Sequence, residues 1–274
     1  MIGFGQILTA SVTTTDVTCN ASCDGTATVT FGGGVPPYSI IWQNSSTAQV
    51  LGVGLVLTNL CSGFYDVIVT DNIGSLASVF VTLNNPSPIN INLITKEDIS
   101  CFGFADGSID ITVTGGTQNT TLPLYNYSWI NSTIGFSSNT EDLLNLQLGT
   151  YSLVLTDANA CSPPSFIENI SEPIEITSIT NSPVSITCFG SSDGIISLLA
   201  NGGNPPYTFD WIGPNAYSNS QNTNPSTIFQ LNTGNYDYTI TDSKGCLLQS
   251  ITPIYISEPN PLFVNAFSTD ISCF

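Results

Sequence analysis

Eight cysteines recur along this chain, and their chemistry is the first question the sequence raises. Four open near-copies of one stretch: Cys19-Asn20-Ala21-Ser22-Cys23-Asp24-Gly25, Cys101-Phe102-Gly103-Phe104-Ala105-Asp106-Gly107, Cys188-Phe189-Gly190-Ser191-Ser192-Asp193-Gly194, and a start at Cys273-Phe274. The spacings between the leading cysteines are 82, 87 and 85 residues. A thiolate nucleophile needs a base, and the chain has no histidine. A zinc site would need thiolates alone, and no Cys-x-x-Cys pair exists. Disulfides are therefore the expected chemistry, and with them an oxidising compartment.

A period this long in register means tandem domains rather than a solenoid of small units. The 274 residues then divide into 1–86, an atypical first repeat; 87–173; 174–259; and 260–274, the start of a fourth. The expected boundaries fall near Pro86, Pro173 and Pro259, on short linkers that favour stiff junctions. Each repeat has enough chain for one small core. The chain thus reads as part of something longer. Met1 to Gln6 lacks a basic segment and reads either as the tail of a signal peptide or as an ordinary first strand.

The elements that must position the cysteines are strands. After Asp24-Gly25, period-two alternation puts Ala27, Val29 and Phe31 on one face and threonines on the other. The matching inward positions are Ile109, Ile111 and Val113, then Ile196, Leu198 and Ala200. Paired glycines end each of these strands: Gly33-Gly34, Gly115-Gly116 and Gly202-Gly203. A Pro-Tyr turn follows at Tyr38 and Tyr207, while the second repeat departs with an insertion and Pro123-Leu124-Tyr125. Four residues on stand Trp42, Trp129 and Trp211, the chain's three tryptophans, expected as core plugs on a third strand. A Leu-x-x-Gly-x-Tyr pattern then places Tyr65, Tyr151 and Tyr236 as tyrosine corners. Each strand from those tyrosines closes in Thr-Asp, followed by Ser75, Cys161 or Cys246. No helix signal of useful length is present. The fold class that results is all-β, with tandem immunoglobulin-like β-sandwich domains in a head-to-tail rod.

That topology bears on the pairing. The cysteine loop joins the first two strands and shares a pole with the tyrosine corner, so Cys23 and Cys61 meet. Cys101 and Cys161 fall at opposite poles of one repeat. A strand of about 8 residues spans roughly 26 Å, whereas a disulfide needs Cα atoms within about 7 Å. Neighbouring repeats bring facing poles together, which predicts Cys19–Cys161 and Cys101–Cys246, with Cys188 left for a later repeat. Ser75 replaces the turn cysteine in the first repeat, where no earlier domain faces it. The alternative, Cys101 with Cys161 inside one repeat, would leave an odd cysteine among Cys19, Cys23 and Cys61.

Charge narrows the partners. Two lysines, no arginine and a net charge of −18 give a surface that repels nucleic acid and anionic lipid. No run of 18 apolar residues offers membrane insertion. Catalysis lacks both a base and a paired carboxylate setting, so no enzyme is expected. Asp24, Asp106 and Asp193 bring one carboxylate each, and Asp71, Asp157 and Asp242 could join them at the junctions around calcium. A plain β-turn is the favoured reading, and no cofactor is expected. Phe102 and Phe189 are expected to pack into the seam between domains.

These elements together make the chain resemble the SprB repeat family: the cysteine loop, Gly-Gly-x-Pro-Pro-Tyr, the Trp, and a Gly-x-Tyr…Thr-Asp-x-x-Gly-Cys ending. The third repeat carries all of them, through Thr241-Asp242-Ser243-Lys244-Gly245-Cys246. The second has Ala160 for the last glycine, and the first lacks the final cysteine and has Asn20 for the Phe. The resemblance implies an extracellular, cell-surface filament of gliding Bacteroidota, exported by type IX secretion and moved by the motility machinery. It also implies partners among cell-surface motility or anchoring proteins and an external surface or polysaccharide. Within that frame the repeats act as an adhesin shaft. The alternatives are a repeated carbohydrate-binding module, which would need an aromatic cleft in every domain, or a passive spacer for a distal domain.

Overall fold

The computed structural model describes residues 6–268. The expectations placed on residues 1–5 and on Cys273-Phe274 lie outside the described residues. Every regular element is a strand apart from one 3-10 turn, Pro214–Ala216. Among the described residues, no helix is long and apolar enough to cross a membrane.

In the first repeat the strands are β1 (Thr9–Thr15), β2 (Gly25–Gly32), β3 (Ser39–Asn44), β4 (Val50–Val53), β5 (Val56–Leu60), β6 (Gly63–Thr70) and β7 (Leu76–Leu83). They form two antiparallel sheets, β1-β2-β5 and β4-β3-β6-β7. The second repeat uses β8 (Asn90–Glu97), β9 (Gly107–Thr114), β10 (Asn126–Asn131), β11 (Phe136–Ser138), β12 (Leu143–Leu146), β13 (Gly149–Thr156) and β14 (Phe166–Ile170) in the orders β12-β9-β8 and β11-β10-β13-β14. The third uses β15 (Thr177–Thr180), β16 (Gly194–Asn201), β17 (Thr208–Gly213), β18 (Tyr217–Gln221), β19 (Ser226–Leu231), β20 (Gly234–Thr241), β21 (Leu247–Gln249) and β22 (Ile254–Ile256). Its sheets run β15-β16-β19 and β18-β17-β20-β21, with β22 also on β20. The polar segment after each Trp becomes a short edge strand, β4, β11 or β18. The chain is all-β and made of tandem immunoglobulin-like sandwiches.

The chain forms two compact units. One holds the residues up to 96 with 109–143 and 149–169; the other holds 97–108, 144–148 and 170 onward. The first unit contains a core of Ala27, Val29, Trp42, Tyr65, Val67 and Val69, contributed by both sheets of the first repeat. The second contains the matching core of Ile196, Leu198, Phe209, Trp211, Tyr236 and Ile240. Alternation produces these cores directly, since residues two apart on a strand share a face. Ile109, Ile111 and Val113 are likewise buried. Phe31 is half-buried and meets Tyr38 edge to face at 4.8 Å.

Trp42, Trp129 and Trp211 are all at most 1% exposed. A buried indole N–H needs an acceptor. Trp42 Nε1 donates to Gly54 O, Trp129 Nε1 to Glu141 O and Trp211 Nε1 to Ser226 Oγ. The corner tyrosines are buried too. Tyr65 Oη donates to Cys61 O at 2.7 Å and Tyr236 Oη to Asn232 O at 3.1 Å, each reaching four residues back. The turn tyrosines make a second recurring bond. Tyr38, Tyr125 and Tyr207 donate to the carbonyls of Gly33, Gly115 and Gly202.

Those three glycines are forced. Their φ values of +77°, +82° and +79° lie in the left-handed region, and a Cβ would collide with the carbonyl of Ile7, Pro88 or Glu175. The chain entering each repeat runs against them, so neither the backbone nor the space admits a side chain. Gly202→Ala is expected to destabilise the third repeat by about 2–3 kcal/mol. Urea unfolding followed by circular dichroism measures it; an unmoved midpoint would contradict the account.

Candidate functional site

The site is the pole where each cysteine loop ends, together with the turn of the next repeat. It is built from the loop outward. The carbonyls of Cys19, Cys101 and Cys188 each accept a bond at 3.0 Å from the N–H three residues on: Ser22, Phe104 and Ser191. The third loop position is left-handed in all three: Ala21 at φ 61°, Gly103 at 76° and Gly190 at 77°. The loop's aspartate closes the turn by accepting from the residue six back. Asp24 Oδ1 takes Thr18 N–H, Asp106 Oδ1 takes Ser100 N–H and Asp193 Oδ1 takes Thr187 N–H. In each case Oδ2 takes the same residue's hydroxyl. These carboxylates serve as clasps across the loop, a longer reach than the β-turn expected from Asp-Gly.

A further clamp was invisible in the sequence. The residue before each seam proline reaches back and binds the left-handed position of its own loop. Asn85 Oδ1 accepts from Ala21 N at 3.0 Å, Glu172 Oε2 from Gly103 N at 2.9 Å and Glu258 Oε2 from Gly190 N at 3.1 Å. The Asn-Pro and Glu-Pro pairs at the seams were the available signal. Their partners lie 64, 69 and 68 residues away.

The turn of each repeat is organised by its Thr-Asp carboxylate. Asp71 Oδ1 accepts from Ile73 N and Ser75 N, and its Oδ2 from Val35 N. Asp157 Oδ1 accepts from Asn159 N and Cys161 N, and its Oδ2 from Thr117 N. Asp242 Oδ1 accepts from Lys244 N and Cys246 N, and its Oδ2 from Asn204 N at 2.7 Å. All three aspartates are at most 5% exposed. Their oxygens are occupied by N–H donors, which is what holds Ser75, Cys161 and Cys246 in place. Among the described residues no three Asp, Glu, His or Cys side chains gather as a metal site.

Within the first unit Cys19 is bonded to Cys161, with Cα atoms 5.6 Å apart, and Cys23 to Cys61. Within the second Cys101 is bonded to Cys246, with Cα atoms 5.5 Å apart. Cys188 has no disulfide and is exposed. Each inter-repeat bond is accompanied by an amide. Asn159 Nδ2 donates to Thr18 O at 3.1 Å, and Asn204 Nδ2 donates to Ser100 O at 2.8 Å. The acceptor is the same in both cases, the carbonyl just before the loop cysteine. The donors come from different loops: Asn159 follows Asp157, whereas Asn204 follows the paired glycines. Cys101 and Cys246 belong to the buried core of the third repeat, while Cys19 and Cys161 are half-buried.

Of the loop phenylalanines, Phe102 borders its seam instead of packing inside it, and Phe189 has no following repeat beside it among the described residues. Phe102 is 50% exposed and Phe189 57%. Phe102 lines a cleft of about 280 Å³ with Phe104, Ile174, Ile176, Leu247 and Leu248. It borders the seam without being enclosed by it, because the loop's clasp and clamp hold it at the rim.

The carboxylate network sets an acid response. The hydroxyls of Thr18 and Ser22, with Thr18 N–H, bring the Asp24 carboxyl down to about 2. Ser100 and Thr187 lower Asp106 and Asp193 in the same way. Burial alone would raise Asp71 and Asp242, but the turn N–H groups outweigh it and hold both below the usual range. A depressed carboxyl stabilises the fold above its unfolded value of about 4 and loses that contribution as pH falls through its folded value. Thermal melting is expected to drop between about pH 4 and pH 2, and Asp24→Asn to flatten part of that drop. An unchanged profile in the variant would refute the clasp's role.

The family profile described as the SprB repeat matches three stretches, residues 11–47, 93–133 and 180–216. Each match runs from the strand before the cysteine loop to just past the buried Trp. No curated protein matches the chain. Solved structures similar to it include the three N-terminal domains of the bacteriophage RB49 Highly Immunogenic Outer Capsid protein (Hoc), at 12% identity, covering 92% of this chain and 100% of that one, TM-score 0.49. An I-band fragment of titin is 14% identical, covering 92% and 99%, TM-score 0.42. Sidekick-1 immunoglobulin domains 1–5 are 13% identical, covering 94% and 60%, TM-score 0.45. The SprB-repeat profile thus matches this chain three times, once in each of its three repeats.

Proposed function

We propose that the chain is a stretch of the shaft of a long filamentous adhesin on the cell surface, serving gliding motility or attachment. We take its repeats to run 1–86, 87–173 and 174–259, with a further one beginning at 260. The observation that carries this reading is the recurring staple. In each unit, a loop cysteine of one repeat is bonded to the turn cysteine of the next, beside an amide bond to the same carbonyl. Such a junction resists rotation and separation, which a load-transmitting shaft needs and a string of independent binding modules does not. The aromatics that recur in all three cores, Trp42, Trp129 and Trp211 with the corner tyrosines, are buried, and the exposed loop phenylalanine is missing from the first repeat, where Asn20 stands. The buried rings are not available to stack on a sugar, which weighs against a repeated carbohydrate module.

Three disulfides in one chain support an oxidising compartment, in keeping with the extracellular location this reading assigns. The partners on this reading are anchoring or motility proteins at the cell surface, and an external surface or polysaccharide at the working end. The shaft needs no cofactor and performs no catalysis. Immunogold electron microscopy of intact cells, with antibody against this chain, tests it. Label spaced along surface filaments, and loss of attachment or gliding when the protein is deleted, is the expected result. Label confined to the cell interior, or a deletion strain that attaches and glides normally, would end the proposal.

A further inference from the structure

We infer that the Cys188 pole of the third repeat is a docking surface for one more repeat of the same kind, joined through a disulfide from Cys188 to that repeat's turn cysteine. The inference rests on the shaft reading and names the partner at this pole. Cys188 is exposed and unbonded, whereas the residues in its position in the other two repeats, Cys19 and Cys101, are each bonded to the turn cysteine of the following repeat.

The pole is already set in the form it has when occupied. Asp193 clasps Thr187 as Asp106 clasps Ser100. Glu258 holds Gly190 N–H as Glu172 holds Gly103 N–H. In the occupied pole of the second repeat, the incoming repeat supplies three things: the Cys246 sulfur, the Asn204 amide on Ser100 O, and apolar side chains beside Phe102. The third repeat presents the counterparts of all three acceptors: the Cys188 sulfur, the Thr187 carbonyl and the exposed face of Phe189. The partner is therefore a repeat whose turn reads Thr-Asp-x-x-Gly/Ala-Cys, with an asparagine after that aspartate or after the paired glycines. Both placements of the asparagine occur in this chain.

Closing the bond removes two protons and two electrons from two thiols. An oxidising protein disulfide accepts them: it first forms a mixed disulfide with the partner's turn cysteine. The Cys188 thiolate then attacks that cysteine's sulfur and expels the oxidant's thiol.

The test is non-reducing peptide mass spectrometry of the full-length protein released from cells, after blocking free thiols with iodoacetamide. Pepsin is the suitable protease, because two lysines and no arginine leave trypsin little to cut. The expected product links the Cys188 peptide to one containing a Thr-Asp-x-x-Gly/Ala-Cys turn. In a Cys188→Ser variant, that turn cysteine is expected to become alkylated. Cys188 found alkylated in the native protein, or linked to Cys188 of a second chain, would overturn the inference. The same digest reports the Cys101–Cys246 pair separately. Its absence strikes at the shaft reading; its presence beside a free Cys188 strikes only at this inference.

Discussion

Pulled from its two ends, the oxidised chain will extend less than half as far as the reduced chain. A fully stretched residue spans at most about 3.3–3.6 Å, so 274 residues reach roughly 900–1,000 Å when nothing crosses them. The two staples join residues 142 and 145 apart and overlap between 101 and 161. Tension entering at the N-terminal end crosses at Cys19 to Cys161, runs back to Cys101 and crosses again to Cys246. Only the interval 101–161 and the two end segments bear load. The rest, including the loop closed by Cys23–Cys61, is shielded. Single-molecule force spectroscopy with and without reductant measures the two contour lengths. Equal lengths would show that the staples do not form in solution.

The same bonds act at equilibrium. Closing loops of this size removes chain entropy from the unfolded state and contributes about 3–5 kcal/mol per staple on the entropic account. The staples also differ in access. Cys101 and Cys246 are buried in the third repeat's core, while Cys19 and Cys161 are half-buried. Graded reductant is therefore expected to open Cys19–Cys161 first.

Trp211→Ala is expected to unfold the third repeat while leaving the first intact. The indole is 1% exposed among Phe209, Tyr236, Ile228 and Ile240. Its N–H donates to Ser226 Oγ at 3.0 Å, and that hydroxyl donates onward to Gln221 at 2.7 Å. Truncation leaves a cavity of side-chain size and removes a donor from a fully buried serine. Large-to-small changes at such sites cost about 3–5 kcal/mol, and Ser226 loses one of its two partners while keeping Gln221. A small domain has about 5–10 kcal/mol in total, so the repeat loses a large part of its stability. Limited proteolysis read by mass spectrometry will show cuts between residues 174 and 259 and none in β2 or β6. Cuts spread evenly over all three repeats would mean that the cores are not independent. A loss under about 1 kcal/mol would mean that the indole is not a core plug.

Most of the strand framework was legible from one rule. Alternation at Ala27 and Val29, at Ile109 to Val113 and at Ile196 to Ala200 names the inward faces because a strand's side chains alternate strictly. The tryptophans and corner tyrosines follow from being large, apolar and placed once per repeat. The paired glycines were legible as punctuation, but the reason for them was not. The carbonyls of Ile7, Pro88 and Glu175 that forbid a side chain belong to the entering segment, which approaches them only after the sandwich closes.

By itself the sequence determined the class of fold, the repeat, the core tryptophans and which cysteines could come near one another. All of these depend on local periodicity and on the length of a strand. Tertiary structure alone decided how the poles are held. Glu172 and Glu258 clamp glycines 69 and 68 residues away. Asn159 and Asn204 deliver an amide to equivalent carbonyls from unrelated loops. Phe102 stops at the rim of its cleft rather than inside the seam. The physical reason is common to all three. A polar contact or an exposed ring is settled within a few tenths of an ångström by where loop ends arrive in space, and no spacing in the chain encodes that.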